Sequence, residues 1–145
     1  PIYQIPVLRY YMLSSLHLEF PRLESFKEQL RQGAETSGYV TTGFGRRVAV
    51  NRDKAYTRAP AAYGQGTARD VFLHGVLAMP EDVQRMIRIF VHDEVVLSVP
   101  KDRVEEVRQC VLDAFSSVAL PSADGVHVPV LADSAGPGRD WSECK

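Results

Sequence analysis

The sequence predicts an α+β domain built on antiparallel strands. Three observations carry this. Helical apolar spacing recurs in separate segments, short β-prone runs come in pairs joined by tight turns, and the expected elements run helix, helix, hairpin, helix, hairpin, helix, strand. The 145 residues suffice for one domain with a core, and the whole chain, 1–145, is expected to be a single, partial domain.

Its first 18 residues, "PIYQIPVLRYYMLSSLHL", are apolar on nearly every side, and a lone helix this apolar needs cover. This segment is expected to face something outside the chain, which opens on Pro1 and reads as a processed product or a fragment. Next, Pro21 suits a first helical turn, and Leu23, Phe26, Leu30 and Ala34 recur at helical spacing before Gly38. In "GYVTTGFGRRVAV", runs Tyr39 to Thr42 and Arg47 to Val50 flank two glycines and predict a hairpin. "NRDKAYTRAPAAYGQG" reads as a basic, partly irregular connector.

Thr67 then opens an expected helix, with Asp70 completing a variant capping box and Pro80 ending it. The run from Met86 to Val99 is too long for one ordinary strand, and a break at His92-Asp93 predicts a second hairpin. Asp102 is expected to cap a helix lined by Val104, Val107, Val111, Phe115 and Val118. "GVHVPVLA" reads as a last strand at an edge, since Pro129 cannot donate to a ladder.

A formal net charge of -1 announces no nucleic-acid binder, but its distribution does more. Arg46, Arg47, Arg52, Lys54, Arg58 and Arg69 fall within 24 residues, opposed only by Asp53, and such a stretch can serve a phosphate backbone. Cys110 and Cys144 form no CxxC metal pattern and no disulfide framework. No signal peptide is expected, and nothing approaches 18 consecutive apolar residues, so a cytoplasmic protein without a membrane partner is the expectation.

The chemistry concentrates in "FVHDEVVLSVP", where His92, Asp93 and Glu94 interrupt the apolar run. Charged groups are costly to bury, so the triplet belongs at a tip. Read locally, it is either a solvated polar turn or a carboxylate held for a metal such as Mg²⁺, which takes oxygen ligands. Gln65 reads either as a helix entrance or as a contact, and Arg46 and Arg47, taken alone, as a solvated hairpin edge. His17, His74 and His127 have no partner at metal-ligand spacing, and Trp141 reads as an anchor for the tail.

In order along the chain, "FPRLESF", "GYVTTGFGRR", "QGTARD", "VHDEVVLSVP" and "GPGRDW" resemble segments of the family A DNA polymerases, over roughly residues 19 to 145. The resemblance implies the C-terminal part of their palm, an antiparallel sheet with a carboxylate-bearing β-hairpin packed against helices. It implies that Asp93 holds two Mg²⁺ ions, that Glu94 supports the metal site, and that His92 approaches the primer's terminal sugar-phosphate. Gln65 matches a glutamine that touches the minor groove, and Arg46, Arg47 and Arg58 lie where phosphate contacts fall. The implied partners are primer–template DNA, a deoxynucleoside triphosphate, and a polymerase portion carrying the first catalytic aspartate and the fingers helix. Neither of those two features is found here, so the isolated chain is expected to be inactive. The family's asparagine four residues before the glutamine is replaced by Ala61. A non-catalytic DNA-binding module that kept the palm shape is the alternative. A metal nuclease is disfavoured because no second acidic cluster accompanies the triplet.

Overall fold

The computed structural model describes residues 18–120 and 128–144. The apolar opening through residue 17, with His17, and the start of the expected last strand, with His127, lie outside the described residues. The fold is α+β, and among the described residues the strands pair antiparallel in three two-stranded ladders. The chain divides into two compact units, Pro1–Thr42 with Arg47–Gly64, and Gly43–Arg46 with Gln65–Lys145.

In the first unit, helix α1 (Leu23–Ser37) buries the C-terminal end of its expected stripe, while Phe26 stays exposed. Ala34 is fully buried, Leu30 packs beside it, and Phe26 meets the ring of Tyr63 edge-on at 5.1 Å. The helix stops because Gly38 takes φ +80, a left-handed conformation that glycine adopts without steric cost, and returns its N–H to the Ala34 carbonyl. Strands β1 (Tyr39–Thr41) and β2 (Arg47–Ala49) follow as the expected hairpin, with Val40 opposite Val48. Ala34, Val40, Val50, Ala55 and Ala59 form this unit's core.

The expected connector is corrected. Asn51 accepts the Asp53 N–H and opens a 3₁₀ turn at Arg52–Lys54, and helix α2 then runs unbroken from Ala55 to Ala78. Thr67 therefore lies within a helix and caps nothing. Pro60 forfeits one backbone hydrogen bond and Gly64 and Gly66 are weak helix formers, but Ala55 and Ala59, excellent ones, are sealed against the core. Tertiary burial outweighs the local punctuation.

In the second unit, the later half of α2 packs on helix α4 (Val104–Ser116). A short helix α3 (Glu81–Gln84) links α2 to the hairpin of β3 (Ile87–Val91) and β4 (Glu94–Leu97). Val76, Met79, Val83, Val107, Ala114 and Phe115 form the core, joined by Ile87, Val95 and Leu97 from the hairpin. Asp102 does not cap α4. It sits in a 3₁₀ turn, Lys101–Arg103, and the residue before the helix is Arg103, which makes no side-chain cap. Strands β5 (Ala119–Leu120) and β6 (Val128–Pro129) form the last ladder. Among the described residues, no helix is long and apolar enough to cross a membrane.

Candidate active site

The triplet is placed by a hairpin whose base is held in the core. Ile89, Phe90 and Val91 pair with Val96, Val95 and Glu94, leaving His92 and Asp93 as a two-residue turn. A bulge between Ile87 and Ile89 strengthens the local twist. Phe90 stands against Phe72 at 6.0 Å, edge to face, and ties the outer half of β3 to α2.

Two-residue hairpin turns demand positive φ, usually from glycine or asparagine. Here His92 supplies it, at φ +53, and among the described residues it is the one non-glycine side chain to do so. Histidine is one of the few residues enriched in that region. His92, Asp93 and Glu94 are all exposed. No hydrogen bond or ion pair within the described residues ties down Asp93. Its carboxylate is thus presented outward on a stiff base.

Asp93 and Glu94 are hard oxygen donors of the kind Mg²⁺ requires, and so fit as part of such a site. They do not complete one. Among the described residues, no three His, Cys, Asp or Glu side chains gather where they could hold a metal ion.

The other expected site residues fall into different surroundings. Gln65 is exposed in the middle of α2, between two glycines. Arg46, in the loop between β1 and β2, donates through Nε to Oδ1 of Asp70 at 2.6 Å and through Nη2 to the Gly66 carbonyl at 3.1 Å. Arg47 and Arg58 are exposed in the first unit, Arg47 with its guanidinium 4.7 Å over the Tyr39 ring. Ala61 is exposed too.

Sequence reasoning missed the role of Asp70. It is buried, 5% exposed, and receives Arg46 from 24 positions earlier, where a helix cap was expected. The available signal was its place among Ala68, Val71 and Phe72, a stripe in which an acid needs a partner. His74, read as ordinary, stacks on Phe44 at 4.6 Å.

The chain is thus α+β, with an acidic turn held out from a hydrophobic base and with exposed arginines at Arg47 and Arg58. Residues 10–143 match the family model of DNA polymerase family A. The thermostable DNA polymerase I of Thermus filiformis is 33% identical over 138 residues, covering 87% of this chain and 16% of that protein. DNA polymerase I of Pseudomonas aeruginosa is 30% identical over 138 residues, covering 86% and 14%, and the thermostable enzyme of Thermus aquaticus 33%, covering 87% and 16%. The chain belongs to DNA polymerase family A. It spans about 16% of the length of the Thermus relatives it matches.

Proposed function

We propose that this chain is the C-terminal palm part of a DNA-directed DNA polymerase. In the complete enzyme a primer 3′-hydroxyl attacks the α-phosphate of a deoxynucleoside triphosphate and pyrophosphate leaves. Two Mg²⁺ ions, when bound, stabilise the attacking and leaving oxygens of such a transfer. Asp93 holds them jointly with an aspartate from outside this chain, and Glu94 adds negative potential beside it. The observation that carries this reading is the presentation of Asp93: exposed, untied within the described residues, and fixed in a two-residue turn on a core-anchored hairpin.

The remaining residues bind and orient. His92, next to Asp93 in the turn, faces the primer's terminal sugar-phosphate. Gln65 reaches the minor groove, where all base pairs offer acceptors in similar places, so an amide N–H suits any correct pair. Arg47 and Arg58 neutralise phosphates, a contribution that fades with salt. A fingers helix from the rest of the polymerase grips the triphosphate.

The test is primer extension with Mg²⁺ and all four triphosphates. The chain alone should give no product. Adding the polypeptide that carries the first aspartate and the fingers helix should restore synthesis, and Asp93→Asn should abolish it. Product that survives Asp93→Asn would sink the mechanism. Salt-sensitive duplex binding that survives Asp93→Ala, with no synthesis in any mixture, would replace it with a non-catalytic DNA-binding module.

A further inference from the structure

We propose that Arg46 is a positioning residue: clamped on Asp70 and Gly66, it orders the helical turn that presents Gln65 to the duplex and does not itself grip phosphate. This rests on the DNA-binding reading above.

Gln65 sits in the least self-sufficient part of α2. It is flanked by Gly64 and Gly66, and glycine loses the most backbone freedom on entering a helix. Gly64 also contributes no packing, with open space where a side chain would stand. A glutamine aimed at a base edge needs a fixed backbone, and the local sequence does not provide it.

The loop 43–46 does. The Gly43 N–H donates to Thr67 Oγ1 at 3.0 Å, Phe44 stacks on His74 with 24° between the rings, and Arg46 bridges Asp70 and the Gly66 carbonyl. At about 3.6 residues per turn, positions 66, 67, 70 and 74 share one side of the helix, and Gln65 falls on the other. The clamp therefore grips the back of the turn and leaves its reading face open. Every contact of the clamp belongs to the second unit.

Arg46 is suited to this task and ill-suited to phosphate. Its charge is already met by a carboxylate that is 5% exposed, and swinging the guanidinium to DNA would strip a buried acid of its cation.

The experiment is a double-mutant cycle on the full chain, measuring binding of a fluorescent primer–template duplex by anisotropy. Arg46→Lys keeps a cation beside Asp70 but loses the two-pronged geometry. Arg46→Lys and Gln65→Ala should each weaken binding about fivefold, and the double variant no further, because both remove one presented glutamine. A double variant weakened by the product of the two, or Arg46→Lys binding as the parent does, overturns the proposal. Circular dichroism checks folding, and Thr67→Val, which removes the Gly43 acceptor without touching charge, runs the same cycle if Arg46→Lys fails to fold. A parent chain without salt-dependent duplex binding would instead sink the DNA-binding reading itself.

Discussion

The ring of Phe115 fills the space that a Cβ on Gly75 would need, closer than real Cβ contacts come. Gly75 is buried in α2, and its missing side chain lets α4 lay an aromatic ring against the helix backbone. Gly75→Ala should therefore cost stability despite alanine's better helix propensity. Overpacking of this kind costs about 1–3 kcal/mol, against about 1 kcal/mol regained in propensity. Gly64→Ala is the control, since open space surrounds it, and it should stabilise by about 0.4–1 kcal/mol. Urea denaturation of both variants measures the difference in sign.

The contrast between these two glycines shows where sequence reasoning ran out. Gly38 was legible as a helix stop because its neighbours on each side changed period from helical to alternating. The second hairpin was legible because three ionisable residues cannot sit inside an apolar strand. The first half of α2 was not legible, because Pro60, Gly64 and Gly66 carry the local signals of a connector. What overrides them is the burial of Ala55 and Ala59 in a core shared with Ala34 and Val40, which local periodicity does not report. The turn position of Asp93 could be read from the ionisable break in an over-long apolar run and from the order of segments, and not from turn chemistry, since neither glycine nor asparagine stands there. The engagement of Arg46 with Asp70 could not, because it joins residues 24 positions apart whose spacing follows no local rule.

The turn at His92 should be sensitive to side-chain shape and not to charge. With φ at +53, a β-branched residue would clash with its own backbone, at a cost of about 1–2 kcal/mol. His92→Val should speed amide hydrogen exchange across β3 and β4, and His92→Asn should leave it near the parent rate. Equal exchange in the two variants would show that the turn is held by the strands alone.

Acid should weaken α1 through Glu28. Hydrogen bonds from Arg31, and then from Gln32, hold its carboxyl down at about 2, against an ordinary 4.5. A folded-state value below the unfolded one means the stabilisation is complete above pH 4.5 and is lost as pH falls through about 2. The difference in melting temperature between the parent and Glu28→Gln should accordingly shrink from neutral pH down to about pH 2. It should also shrink with added salt, since the pair lies at the surface. A difference that does not change with pH would assign the effect to packing.

Cys110 should react slowly while the protein is folded. Burial pushes its thiol up from the ordinary 9.0, and the nearby acids Asp82, Asp113 and Glu106 push the same way. Because the thiolate is the nucleophile, iodoacetamide should modify Cys110 more slowly in buffer than in urea at the same pH. Peptide mass spectrometry reads the two rates separately from Cys144. Equal rates would place Cys110 in water.

The presentation of Asp93 should matter more than the presence of a carboxylate. Inserting one glycine between Asp93 and Glu94 converts the two-residue turn into a three-residue loop, a length that hairpins accommodate. The strands then keep their pairing while the carboxylate moves. A displacement of about 1 Å in a reacting group can cost about 10²-fold in rate. In the assembled polymerase, the insertion should reduce primer extension by about that factor and weaken duplex affinity far less, because Gln65, Arg47 and Arg58 are untouched and only the His92 contact shifts with the turn. Asp93→Glu moves the same charge outward by one methylene and should also reduce synthesis, but with the hairpin's hydrogen exchange unaltered. Extension at the parent rate in both variants would mean that Asp93 tolerates a loose placement, and the stiff hairpin would need another explanation.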